Sequence, residues 1–265
     1  MKNLRKIYKQ SEKAVEEILN EVILKKQLEF DIESAVILGV FEDIVRKVDS
    51  LILLIDENKT AGLDSITRSI FENHVYLKLF LSNESSLYTR SYYLAHELRK
   101  IKLYDTVIAS NKPGNNIRSF LGRSLEGLQN DFNGRVPDKL NLEKRFEDVL
   151  VKRKEKDNWY NLDGSTRTFE QLCRKLDQTA YYDLLYRILS NEVHATDALK
   201  RWVFEPGKLT LLNQNQDNML HINVASTVLL DSLRDLYDFY NLRNQLKNFN
   251  ALIAINTRLK KNKPF

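Results

Sequence analysis

Apolar residues return every three or four positions along most of this chain, and very little interrupts them. Its 265 residues include only 8 glycines and 4 prolines. Those two residue types supply turns and stop helices, so their scarcity favours long helices over a strand-and-turn architecture. From Leu4 to Glu57 the repeating set is Ile18, Leu19, Val22, Ile23 and Leu24, then Ile37, Leu38, Phe41, Ile44, Val45 and Val48. A break near Phe30–Glu33 divides it into two helices. Asn58–Gly62 reads as a connector, with Asp64 or Ser65 as the N-cap of a helix through Ile70, Phe71, Val75 and Phe80. A further helix runs from Tyr92 to Val107, Asn111-Lys112-Pro113-Gly114 punctuates, and Ile117–Leu128 makes a shorter helix. Thr168-Phe169-Glu170-Gln171 fits a capping box, and Asn218–Leu246 reads as one long amphipathic helix. The strand signal is confined to Trp202-Val203-Phe204, Glu205-Pro206-Gly207-Lys208 and Leu209–Leu212, a small hairpin. The expected fold class is therefore all-α: a helical bundle with extra N-terminal helices and one β-hairpin near 201–212. Residues 1–58 form a helical extension packed on a bundle built from 59–265, the whole making one compact domain.

Composition narrows the setting. The single Cys173 cannot form an internal disulfide, which points to a reducing compartment. Met1–Gln10 is basic and polar, unlike a secretory signal, and the apolar run Leu51–Ile55 is far too short to span a bilayer. A soluble cytoplasmic protein without membrane contact is expected. The formal charge of +5 permits nucleic-acid binding without demanding it. Leu140–Asp157 is dense in charge, with Lys144, Arg145, Lys152 and Arg153 among its cations. It reads either as a solvated helix face or as an RNA track, with Lys152 and Arg153 as its substrate-binding candidates.

The chemistry concentrates in Tyr186-Arg187-Ile188-Leu189-Ser190-Asn191-Glu192-Val193-His194. Seven residues advance a helix by about 700°, so Arg187 and His194 project from nearly the same face, roughly 10 Å apart along the axis. Arginine supplies fixed charge to a phosphate, and neutral histidine takes or gives a proton near pH 7. Together they are the minimal equipment for cleaving RNA without a metal. Ser190 and Asn191 sit between them and either position His194 or a phosphate or bond to local backbone. Arg68 and Glu72 form an i,i+4 pair on an apolar helix, where they act as a supporting ion pair. Arg68 and His74 also satisfy a loose arginine–histidine spacing. Tyr182 is a candidate for stacking on a base. No His-Glu-x-x-His, paired-cysteine or Gly-rich phosphate motif occurs, so no metal or cofactor is expected. Cys173 reads as core.

Two blocks, Arg68-Ser69-Ile70-Phe71-Glu72 and Trp159…Tyr181…Tyr186-Arg187-x-Leu189-Ser190-x-x-Val193-His194, resemble a helical family placed near the HEPN superfamily. The resemblance covers roughly Leu51–Leu246. It implies a HEPN-like helical bundle that pairs as a homodimer and cleaves RNA as a metal-independent endoribonuclease. Arg187 and His194 would match that superfamily's arginine and histidine. It also implies a toxin or abortive-infection effector of microbial defence, with a regulatory or antitoxin protein as a possible partner. Active members carry a polar residue after the arginine, where this chain has Ile188. Some toxin members carry a modifiable tyrosine two residues past the histidine, where this chain has Thr196. The alternative expectation is a non-catalytic all-α RNA-binding or protein-interaction module serving as scaffold or sensor.

Overall fold

The structure, a computed structural model, describes residues 1–24, 31–59, 61–132, 134–153, 158–186, 189, 202–211 and 218–261. In chain order its helices are α1 (Lys2–Ile18), which runs on into a π-helical turn (Leu19–Leu24), α2 (Ile32–Asp56), α3 (Leu63–Phe80) and α4 (Ser85–Ile108). Then come α5 (Lys112–Leu121), α6 (Leu125–Phe132), α7 (Lys139–Arg145), α8 (Glu147–Lys152) and α9 (Phe169–Lys175). The short α10 (Thr179–Tyr181) passes directly into a second π-helical turn (Tyr182–Tyr186), and α11 (Met219–Phe239) and α12 (Arg243–Lys261) close the chain. Between α10 and α11, β1 (Trp202–Glu205) and β2 (Lys208–Leu211) pair antiparallel, with Glu205 opposite Lys208 and Trp202 opposite Leu211. Gly207 at φ +77° turns the hairpin in the left-handed region that glycine tolerates best. The fold is all-α, with one hairpin among the described residues, as the few glycines and prolines predict.

The helices divide into two compact units, residues 1–83 with 170–265, and residues 84–169. The line drawn near residue 58 from the sequence runs inside the first unit, where α2 packs along α3 and α1 packs along α11. The first unit's core is made of Phe41, Ile44 and Leu51 from α2, Ile70, Phe71 and Phe80 from α3, and Leu229, Leu233 and Tyr237 from α11, all 1% exposed or less. Burying each such large apolar side chain contributes about 1.5–3 kcal/mol. Tyr237 keeps its polar end satisfied inside this core. Its hydroxyl donates to Glu17 Oε2 at 2.9 Å and receives Gln10 Nε2 at 3.3 Å, tying α1 to α11. In the second unit, Ser91 on α4 donates to the Trp159 carbonyl at 2.6 Å, and Arg90 grips both carboxylate oxygens of Asp148 at 2.6 and 2.8 Å. That grip holds the Asp148 carboxyl below its usual range.

Three boundaries differ from those read in the sequence. Gly62, at φ +87°, caps α3, so Asp64 lies in the first turn and Ser65 after it. The helix expected over Ile117–Leu128 is two helices, because Gly122 at φ +61° lets the Arg123 N–H bond back to the Arg118 carbonyl and close α5. The helix expected over Asn218–Leu246 also divides. Asn241 at φ +55° takes the left-handed position more often given to glycine, and the Leu242 N–H returns to the Tyr237 carbonyl at 2.8 Å. At Gly114 a Cβ would lie 2.2 Å from the Ala109 carbonyl oxygen, so only glycine lets α5 start so close to the end of α4.

Candidate functional site

Arg68 stands in the second turn of α3, 85% buried by its side chain, and its planar guanidinium is shared between two partners. Its Nε donates to Glu72 Oε1 at 3.0 Å, the bond that the i,i+4 spacing predicts. Its Nη2 donates to the Tyr186 hydroxyl at 2.6 Å, while the guanidinium carbon lies 4.0 Å from the centre of the Tyr186 ring. Hydrogen bond and cation–π contact thus act on one tyrosine from one arginine, an arrangement that needs arginine's flat, delocalised head. Nη1 is buried without an acceptor among the described residues, so the guanidinium retains an unmet donor. Tyr186 is the last residue of the π-helical turn and immediately precedes Arg187. Two segments 118 positions apart in sequence therefore meet at the first residue of the arginine–histidine motif.

The remaining candidates fall in different places. Arg187, Ile188, Ser190, Asn191 and His194 lie outside the described residues. Leu189, within the same motif, is described as helical and only 2% exposed, which sets it among the core residues. Tyr182 stacks on Tyr186, with ring centres 5.0 Å apart and planes 17° from parallel, so it braces the anchoring tyrosine. Lys152 and Arg153 end α8 in the second unit, and Arg153 lines a cleft there with Arg99, Lys102 and Lys139. Cys173 is fully buried, and burial pushes its thiol up to about 12, well away from a reactive thiolate. Among the described residues no three His, Cys, Asp or Glu side chains cluster closely enough to hold a metal ion.

His74 and His221, both buried in the first unit, are interhelical ties that the sequence did not reveal. His221 Nδ1 lies 2.8 Å from Thr67 Oγ1, and its Nε2 lies 3.5 Å from Asp64 Oδ1. Hydroxyl, imidazole and carboxylate in series resemble a nucleophilic triad, but Thr67 is fully buried and no substrate can reach it. His74 Nδ1 lies 3.1 Å from Ser232 Oγ, and Lys78 donates to Asp235 at 2.9 Å. These three ties advance in the same direction along α3 and α11, so the two helices run roughly parallel. They hold α3, and with it Arg68, in register on the core.

Burial lowers the His74 imidazole from 6.5 to about 3, with the nearby Lys78 charge adding to the effect. The unfolded chain therefore binds a proton below pH 6.5 that the folded chain refuses until about pH 3. His74 contributes its full stability above pH 6.5 and loses it progressively as pH falls through that window. At pH 5 the expected loss is about 2 kcal/mol relative to neutral pH. Urea unfolding at pH 7 and pH 5 checks this: the decrease should shrink by about that amount in His74→Gln, and equal decreases in both proteins would contradict it.

No helix among the described residues is long and apolar enough to cross a membrane. The chain matches the model of a family described as a family of unknown function (DUF5677) over residues 34–208, a span that includes Arg68, Glu72 and the whole Tyr186–His194 segment. No curated protein and no solved structure matches it. The match extends over more than half of the chain, and the protein belongs to that family.

Proposed function

We propose that the chain is a metal-independent endoribonuclease of the HEPN type, with Arg187 and His194 as its catalytic pair. The observation that carries this reading is the meeting of Glu72 and Tyr186 at the Arg68 guanidinium. An anchored residue directly before Arg187 restrains the start of the motif, which a phosphate-clamping arginine requires. The π-helical turn that delivers Tyr186 is a further sign, because such turns recur at functional sites. In the reaction the RNA 2′-oxygen attacks its own phosphorus and the P–O5′ bond breaks. The 2′-hydroxyl gives up a proton and the leaving 5′-oxygen gains one; His194 serves one of these transfers, as base or acid, and solvent water the other, while Arg187 stabilises charge on the phosphorane. Arg68 and Glu72 act as positioning residues.

The charge distribution agrees with an RNA substrate. Residues 84–169 hold sixteen Lys and Arg against twelve Asp and Glu, so four of the chain's five net positive charges fall in the second unit. Lys152 and Arg153 belong to that excess and would contact the phosphate backbone. A homodimer would set two motifs about one cleft. On this reading the protein acts in the cytoplasm as a toxin or abortive-infection effector, held in check by a partner protein.

Because the nucleophile is the substrate's own 2′-hydroxyl, a strand with a single 2′-deoxy nucleotide at each cut site should survive intact. The RNA products should end in a cyclic 2′,3′-phosphate and a 5′-hydroxyl. Cleavage of the deoxy strand at the same positions would contradict the mechanism. RNA retained by the protein without any cutting would instead identify the non-catalytic binding module.

A further inference from the structure

The first unit contains a cleft of about 160 Å³ walled by α3, the α10 segment and α11. Its floor is apolar, formed by Phe71 from α3 with Val224 and Val228 one turn apart on α11. Along one edge α11 presents Asn223, Thr227 and Asp231 at intervals of four, so an amide, a hydroxyl and a carboxylate form a polar row beside that floor. Tyr181 stands at the mouth, 45% exposed, its ring 6.5 Å from Phe71. His74 lines the cleft while being 96% buried, with Nδ1 held by Ser232 and no partner for Nε2 among the described residues.

These features restrict what can enter. Drug-sized ligands fill cavities of about 300–1,000 Å³, so this one suits a single ring system. The carboxylate on its edge, Asp231, is paired with Arg234 Nη2 at 3.5 Å, and the described lining holds no Lys or Arg to draw a phosphate into the cleft. A purely hydrocarbon guest would leave the buried His74 imidazole facing it without a partner. A flat, uncharged ring with donors and acceptors along its edge meets all of these conditions, and an unpaired nucleobase is such a ring.

We propose that this cleft receives one unpaired base of the RNA strand, stacked on Tyr181 and hydrogen-bonded at its edge by Asn223 and His74. The assignment rests on the RNA reading given above and adds to it a base-selecting site on the element that leads into Tyr186 and Arg187. Base recognition by stacking and edge contacts is how proteins read unpaired RNA.

The test uses the full chain and the four free nucleosides, with saturable binding followed by NMR, beside Thr227→Trp and Asn223→Ala. Both positions are exposed, so these variants leave the core untouched. Thr227→Trp should fill the cleft, abolish nucleoside binding and weaken RNA retention roughly tenfold or more. Asn223→Ala should alter the order of preference among the four nucleosides. No saturable binding by the unmodified protein, or equal binding by Thr227→Trp, would overturn the site. RNA retention unchanged in Thr227→Trp would overturn the RNA strand as the source of the base. Absence of RNA cleavage leaves these binding readouts intact, so a failure of the catalytic reading is distinguishable from a failure of the pocket.

Discussion

Replacing Arg68 with alanine is expected to cost about 1–3 kcal/mol of stability and roughly 10²-fold in RNA cleavage. The stability loss follows from what remains. Glu72, whose side chain is 28% exposed, keeps a partly desolvated carboxylate without its guanidinium, and the Tyr186 hydroxyl loses the hydrogen bond from Arg68. Partial exposure keeps the penalty below that of a fully buried pair. The cleavage loss has a different origin. Tyr186 would keep its stack against Tyr182 but lose the tie to α3, and a shift of about 1 Å at a reacting group can cost that factor. Arg68→Lys separates the two effects. A lysine can still meet Glu72 but cannot also lie flat over the Tyr186 ring, so stability should stay within about 1 kcal/mol of the parent while most of the cleavage is lost. Urea unfolding and initial cleavage rates on both variants measure this. A lysine variant that cleaves like the parent would show that the Tyr186 tie does not position the motif.

The helices were legible because burial imposes a period. Phe41, Ile44 and Val48 on α2, or Leu229, Leu233 and Leu236 on α11, repeat as one face of a helix must when it packs on a core. Helix ends were less legible, since they depend on a single backbone dihedral. Gly122 could have been read as the close of α5, but Asn241 could not easily be told from an ordinary polar surface residue. The π-helical turn at Tyr182–Tyr186 leaves no signature in an apolar pattern, although it determines which tyrosine meets Arg68. For the site, spacing alone showed that Arg68 and Glu72 pair. Their meeting with Tyr186 is a tertiary contact across 118 positions, beyond the reach of any local rule. Of the buried histidines His74 and His221, the sequence showed only the loose spacing of His74 from Arg68. Their use as ties to Ser232, Thr67 and Asp64 depends on the packing of α3 against α11.

The largest single effect should come from His194. If it supplies or removes the proton in the transition state, His194→Ala should lower cleavage by about 10²–10⁴-fold, with little change in folding or RNA retention. Arg187→Ala should lower cleavage comparably and also weaken retention, because it removes a phosphate contact as well as transition-state charge stabilisation. Loss of retention in the histidine variant would mean that His194 binds without reacting.

The most direct measurement is cleavage of total cellular RNA by the purified chain in excess EDTA, beside His194→Ala matched for folding by circular dichroism and urea midpoint. Cutting that survives the chelator and disappears in the variant is the predicted result. Cutting that stops with EDTA, or that continues undiminished in His194→Ala, would contradict a metal-independent ribonuclease centred on the Arg187–His194 motif.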